Sequence, residues 1–405
     1  MANYTVPGVY VEEPFKLALS IPSGATAVPV FALDTKNFVT TEPMLSSTDK
    51  IINYFNLAAD DVAVFDTWLD IQAKIVTAPL PNEDAQTHAK RAEDVLNRCP
   101  LYLALKAYFD NGGGRCYVVP VGKLLEKVPA LDDATLIVQA GSEHAEFAGQ
   151  VKSLCKVGNS YFALYDGPND AALTSTTAND AGSRYDANAF AAVYYPWLQM
   201  SVPKVATAEG SDWVDVPPSA VMAGIYCTVD RDRGVWKAPA NVQIGGGLRP
   251  KYQVPDAVDG PLNAPGGGHA INVIRSFRGA GTLVWGARTL KSDSDTWRYV
   301  PVRRLFCAAE RDIRTAMSTA LFEPNSQPTW EQVRSAVTSY LHRLWQQGAL
   351  MGDTPQQAYF VQVGLGTTMS ADDVNQGKMI VKVGMAAVRP AEFIILQLTQ
   401  DVAPA

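Results

Sequence analysis

Short apolar runs separated by glycine, proline and polar breaks fill the middle of the chain. Pro100–Phe109 is helix-like, Asp110–Gly114 is a glycine turn, and Arg115–Val119 is an apolar run. Helix, glycine turn and strand in that order form the unit of an α/β layer. Leu136–Ala140 and Tyr161–Tyr165 repeat the strand signal, and Glu146–Val157 between them fits a crossover helix. AFAAVYYPWL at 189–198 reads as a further core strand. The small and apolar run Ser219–Val229 predicts a buried helix packed closely on a sheet. Its end loop then carries Asp230-Arg231-Asp232-Arg233, whose alternating charges can pair locally or across an interface. Gly245–Gly268, rich in glycine and proline, predicts loop, and strand character returns at Asn272–Phe277 and Gly281–Ala287.

The flanks read differently. In PGVYVEE at 7–13, Val9 and Val11 face one side and Tyr10 and Glu12 the other, as in a strand. So short a strand needs a sheet to join, its own or a neighbour's. Ser23–Leu33 is a second extended element, which Pro29 places at an edge or bulge. After the polar KSDSDT at 291–296, a domain boundary, a helix runs from about Val302 to Leu321 with Phe306, Ile313, Met317 and Leu321 as its buried stripe. Thr329 and Gln332 make a capping-box candidate for a helix with Val333, Val337, Leu341 and Leu344 on its apolar side, closed by Gly348. Strands follow at Tyr359–Val363, Met379–Met385 and Phe393–Leu398, with a short helix capped by Ser370 and carrying Asp373 at its third position between the first two.

The 405 residues leave room for two or three domains, and 47% apolar with only 19% charged residues describes an ordered chain with surface to give to other proteins. A formal charge of −7 argues against a general nucleic-acid binder. No apolar tract reaches the ~18 residues of a membrane span. MANYTVPGVYVEEP has no basic region followed by an apolar one, so no signal peptide is expected. Five widely spaced cysteines read as buried thiols of a reducing compartment.

Candidate chemistry is thin. Of the four histidines, His269 is the best candidate base, with Asp256 and Asp259 upstream, while His88, His144 and His342 sit in polar helical or turn surroundings. An α/β hydrolase would need a serine and an acid within reach of such a base, and only the fold decides that. There is no G-x-S-x-G, no HExxH and no metal-spaced cluster; the triple glycine at 112–114 lacks the lysine and helix of a phosphate loop. The expectation is therefore no catalytic residue, no cofactor and no metal. Asp132-Asp133 and Asp372-Asp373 read as helix-start carboxylates. Arg303, Arg304, Arg311 and Arg314, interleaved with Glu310 and Asp312, are open between a solvated, locally paired face and a surface for an acidic partner.

Taken together in order, PGVYVEE (7–13), FDNGGGRCYVV (109–119), YYPWL (194–198), AGIYCTVDRDRGVWKAPAN (223–241), VWGARTL (284–290), YVPVRRL (299–305), LFEPN (321–325), TWEQV (329–333), LWQQGALMG (344–352) and RPAEFI (389–394) resemble the tail sheath proteins of contractile phages and related injection systems. The resemblance implies a multidomain α/β sheath fold with an α+β C-terminal domain. It divides the chain into an N-terminal arm (1–33), a small outer segment (34–100), a subtilisin-like α/β middle domain (101–290), a conserved C-terminal domain (291–391) and a C-terminal strand arm (392–405).

It also implies a structural, non-enzymatic subunit made in the bacterial cytoplasm. Stacked hexameric rings would form a six-start helical sleeve around an inner tube, bounded by baseplate and cap proteins, with no nucleic acid and no direct membrane insertion. The sleeve would store energy when extended and contract to drive the tube through an envelope. Val9, Tyr10, Val11 and Glu12, with Phe393, Ile394, Ile395, Leu396, Gln397 and Leu398, would exchange strands with neighbours. Arg303, Arg304, Arg311 and Arg314 would make tube-facing or intersubunit contacts. A baseplate- or cap-proximal paralogue, a static shell protein and the hydrolase are the competing readings.

Overall fold

A computed structural model describes residues 20–34, 62–74, 84–87, 99–203, 211–265 and 269–392. The chain divides into two compact units: one holds Gly24–Arg311 and the residues from Ala387 on, the other the residues up to Ser23 and Asp312–Ala386. The division falls inside a helix, Val300–Met317.

The larger unit is built on a nine-stranded sheet in the order β2-β3-β1-β4-β5-β6-β11-β12-β9. Six neighbouring strands run parallel: β3 (Cys116–Pro120), β1 (Pro29–Leu33), β4 (Leu136–Val138), β5 (Phe162–Asp166), β6 (Ala191–Tyr195) and β11 (Asn272–Phe277). β2 (Ala63–Phe65) closes one edge antiparallel, and β12 (Gly281–Val284) and β9 (Val242–Gln243) the other. Alternation of side chains divides β1 between two cores. Phe31 and Leu33 face the side of helices Pro100–Asp110 and Pro218–Arg233, whereas Val30 and Ala32 face that of helices His144–Leu154 and Asp256–Asn263. Both faces being covered, β1, β3, β4 and β6 are apolar throughout instead of alternating. A small antiparallel sheet, β10 (Arg249–Pro250), β7 (Leu198–Pro203) and β8 (Ser211–Val216), lies within the same unit.

Several expectations change. β1 is a central strand, between β3 and β4, and not an edge. Pro29 is tolerated because it is the strand's first residue, and Val28 before it supplies the pairing through Thr135 and Leu136. The charged cluster after Val229 is the last turn of the 218–233 helix, which Gly234 ends at φ 93°. That helix approaches the 100–110 helix closely at Gly224, where a Cβ would stand 2.5 Å from the Tyr108 carbonyl oxygen. The loop expected over 245–268 contains the helix Asp256–Asn263, whose buried Val258 and Leu262 lie one turn apart. Asp132 and Asp133 sit in a turn, and Asp133 pairs with Arg115 at 3.1 Å.

In the smaller unit the helix Gln327–Gln346 buries Val333, Val337, Leu341 and Leu344 as expected. Ser326, and not Thr329, is its N-cap, because Pro328 occupies the first turn. The capping box of Ser370 and Asp373 forms as expected and starts the helix Ala371–Asn375. The stripe of the Val300–Met317 helix rotates: Leu305, Ala309, Asp312 and Ala316 are buried, Phe306, Ile313 and Met317 half-buried, and Leu321 exposed. β13 (Tyr359–Gln362) and β14 (Lys382–Met385) form a two-stranded antiparallel sheet. Arg334 ties the 327–346 helix to Val363 at 2.5 Å, Tyr340 donates to Asp312 at 2.9 Å, and Arg343 donates to the Ile21 carbonyl.

Candidate functional site

The hydrolase constellation does not assemble. Asp256 and Asp259 both pair with Arg275, at 2.7 and 2.9 Å, so neither carboxylate is available to orient His269. Burial, the largest influence, holds the His269 pKa below its ordinary value. An acid and a serine do meet at the carboxyl ends of β4 and β5, where open α/β sheets carry their sites. Asp166 accepts from the Ser219 and Gly141 amides at 2.8 Å each. Ser219 is fully buried and its Oγ accepts the Ala140 amide at 2.9 Å, an arrangement that pins two loops and a helix start and offers no opening to substrate. His144 packs tilted against Tyr165 and edge-on against Tyr185, and His342 meets Tyr359 at 3.2 Å; His88 lies outside the described residues. Among the described residues no group of three or more His, Cys, Asp or Glu could hold a metal ion, and no helix is long and apolar enough to cross a membrane. The five cysteines are unpaired thiols, four of them buried, and burial pushes Cys99 up to about 12.

Charge is instead built into the scaffold. Arg304 reaches the end of the 218–233 helix and forks onto Asp230, Nη1 to Oδ1 at 2.9 Å and Nη2 to Oδ2 at 2.6 Å. Both side chains are under 5% exposed. Arg304 also donates to the Thr26 carbonyl at 3.0 Å, Thr26 Oγ1 donates to Asp230 at 2.5 Å, and the guanidinium lies 4.4 Å over the Tyr226 ring. Arg303 is buried too, over the rings of Trp297 at 4.2 Å and Phe190 at 4.4 Å. The four arginines therefore do not form one cationic face. Arg303 and Arg304 serve the interior, Arg311 is half-buried and donates to the Ala25 carbonyl, and Arg314 is exposed.

A second ionic node joins Arg288 to Glu392. Arg288 grips Glu392, Nε to Oε1 at 3.0 Å and Nη2 to Oε2 at 2.5 Å, while its Nη1 donates to Asn263 O at 2.9 Å and Tyr299 donates to Glu392 at 3.3 Å. Asn272 holds the Arg288 backbone from both sides, accepting at 2.6 Å and donating at 2.8 Å. Beside this clamp opens a cleft of about 670 Å3, lined by Trp285, Arg275, Lys237, Ala287 and Pro390 among others. The strand candidates Val9–Glu12 and Phe393–Leu398 lie outside the described residues.

A model of the phage tail sheath C-terminal domain matches residues 292–401. A solved chain of an extracellular contractile injection system, the PVC sheath complex in its contracted state, is 48% identical over 99% of both chains, with a TM-score of 0.79. The chain belongs to the contractile tail sheath family. A chain of the anti-feeding prophage baseplate in the contracted state is 43% identical over 98% of this sheath-family chain and 99% of its own, with a TM-score of 0.77. A putative prophage major tail sheath protein of Pseudomonas aeruginosa strain UCBPP-PA14 is 26% identical over 177 residues, 44% of each chain, so that match spans less than half of the curated relative.

The sheath C-terminal match begins at residue 292, whereas the compact units part after Arg311. Sequence reasoning missed both ionic nodes. Asp230 and Arg304 are 74 residues apart, Arg288 and Glu392 104, and only folding brings them together. The signal available was that all four sit in the motifs that carry the family resemblance.

Proposed function

We propose that this chain is the sheath subunit of an extracellular-type contractile injection particle. It forms a sleeve with copies of itself around an inner tube, on a baseplate, and shortens to drive the tube forward. The observation that carries this is the 48% identity over 99% of both chains with a contractile sheath complex. The sleeve is taken as six-start, built of hexameric rings and closed by a cap. Its middle domain, 101–290, is read as the subtilisin-like layer and 291–391 as the conserved domain, with arms at 1–33 and 392–405 and 34–100 peripheral.

Strand exchange through Val9–Glu12 and Phe393–Leu398 suits the two-stranded sheet β13–β14, since neither strand has a second neighbour among the described residues. Backbone hydrogen bonds would complete that sheet with strands from adjacent copies and let the lattice shorten without coming apart. Arg311 and Arg314 remain the intersubunit or tube-facing candidates, because Arg303 and Arg304 are buried. A gain of about 1–3 kcal/mol per subunit, the scale of a few interfacial hydrogen bonds, summed over a long sleeve drives contraction without a nucleotide.

Cryo-electron microscopy of the chain assembled with its tube and baseplate, before and after a contraction trigger, tests this reading. Two helical lattices, the second wider and shorter, are expected; a single unchanging lattice sinks it. The 43% identity to a baseplate chain favours one variant, a copy confined to the baseplate-proximal ring. In that case the chain would decorate baseplates but never extend into a sleeve.

A further inference from the structure

Ser160 carries two costs that a glycine would avoid. Its backbone is left-handed, φ 60°, a region that residues with a side chain rarely adopt. Its hydroxyl is buried, the residue being 4% exposed, and Oγ has no hydrogen-bond partner among the described residues. A buried hydroxyl without a partner forfeits the bonds it made in water, so nearly all such groups in folded proteins are satisfied. The turn that leads into it is fixed: the Asn159 amide donates to Lys156 O at 3.2 Å, and Asn159 Nδ2 donates to Leu154 O at 2.9 Å.

Ser160 lines a small cavity within the larger unit. The cavity lies where β1, β4 and β5 begin, against residues 304–311 of the Val300–Met317 helix, and Thr26, Thr135, Arg304 and Arg311 share its wall. Its volume of about 10 Å3 is the room that one water molecule needs. Thr26 Oγ1 gives its proton to Asp230, and Thr135 Oγ1 accepts the Val28 amide at 2.8 Å, which leaves each an acceptor site. With Ser160 these hydroxyls meet the polar requirement of a buried water. The occupant is neutral, because the wall holds no carboxylate for a cation and the Arg304 charge is already answered by Asp230 at 2.6 Å.

We infer that one ordered water occupies this cavity, hydrogen-bonded to Ser160 Oγ, and completes the packing of the 304–311 helical stretch on the starts of β4 and β5. The inference does not depend on the sheath reading and holds for a single unassembled chain. A crystal structure of that chain tests it, grown with bromide in place of chloride and at a resolution that shows ordered solvent. A peak within hydrogen-bonding distance of Ser160 Oγ, without the anomalous signal of bromide, is expected. An empty cavity overturns the inference, and so does a bromide signal there, which would mean an adventitious ion only.

Substitution gives shifts of opposite sign for the two cases. With the water in place, Ser160→Ala removes one of its partners and should lower the melting temperature of the unassembled chain by about 1–3 °C, since a water bridge is worth nearly as much as a direct bond. A hydroxyl with nothing bound to it would instead be relieved by the same change. An unchanged or higher melting temperature therefore overturns the inference.

Discussion

The two units handle their strands in opposite ways. In the larger, β1, β3, β5 and β6 are buried at every position and covered on both faces by helices. In the smaller, β13 alternates half-buried with exposed and β14 has no buried position. A sheet of two strands is marginal on its own, and at least a third strand or a packed helix is needed to hold it. The helix Gln327–Gln346 supplies part of that support through Arg334 and Val363. Among the described residues the central strands of the larger unit are thus paired on both sides and covered on both faces, whereas β13 and β14 each have one strand neighbour only. Under the proposed strand exchange, the larger unit would serve as the body and the smaller as the joint.

The sharpest way to break this contrast is to remove an arginine from each unit. Arg304→Ala leaves Asp230 buried without its partner, and a loss of about 3–5 kcal/mol is expected from urea unfolding. Arg334→Ala in the smaller unit removes a 2.7 Å pair with Glu331 whose side chains are 38% and 47% exposed, together with the bond to the Val363 carbonyl, and should cost about 1–2 kcal/mol in all. Equal losses would mean that the smaller unit is as tightly determined as the larger.

These two arginines also mark what the sequence could reveal. Local devices were legible: the Ser370–Asp373 capping box needs only its spacing of three, and Val333, Val337, Leu341 and Leu344 declare their helix face by period. Parallel strands such as Leu136–Val138 were legible as apolar runs between breaks. What resisted was long-range. Pro29 looked like an edge residue because a proline's place in a ladder depends on which strands flank it. The arginine cluster looked like a surface because its buried carboxylate, Asp230, comes from another helix. The Asp256–Asn263 helix hid because Gly260 and Pro261 mask two aliphatics at helical spacing.

Next in size is a pH effect confined to the larger unit. Burial raises the Asp166 carboxyl to about 6, against hydrogen bonds from Ser219 and Gly141 that favour its charge. The folded chain then holds this proton more tightly than the unfolded one, whose carboxyl has its ordinary value of 3.8. The contribution is full below about pH 4, is lost as pH rises to about 6, and is flat beyond. Measured as wild type minus Asp166→Asn, unfolding free energy should fall by about 2–3 kcal/mol over that window. A difference that rises with pH would reverse the assignment.

The clamp at Glu392 comes third. Glu392→Gln keeps the shape and removes the charge that Arg288 grips on two oxygens, for an expected loss of about 1–2 kcal/mol in denaturant unfolding. Arg288→Lys should cost at least as much, since an ammonium cannot reproduce the fork or reach Asn263 as well. If Glu392→Gln leaves the stability of the larger unit unchanged, the clamp is a surface pair that adds nothing to the fold.

The smallest effect tests the open sheet itself. Phe360 stands opposite Gly384 across the β13–β14 pair and covers it so closely that a Cβ on Gly384 would lie 2.1 Å from the ring. The ring is nevertheless 47% exposed, so in the unassembled chain Phe360→Ala should cost only about 0.5–1 kcal/mol, the scale of one cross-strand pair. Within a sleeve the same ring would stand next to any strand added from a neighbour, and its loss should weaken assembly by more than it weakens the fold. Comparing denaturant unfolding of the free chain with the concentration needed for sleeve formation separates the two. A variant that loses fold stability and assembly in equal measure would show that β13 and β14 are finished within one chain, and the contrast between a closed body and an open joint would fail at the point where the sheath reading uses it.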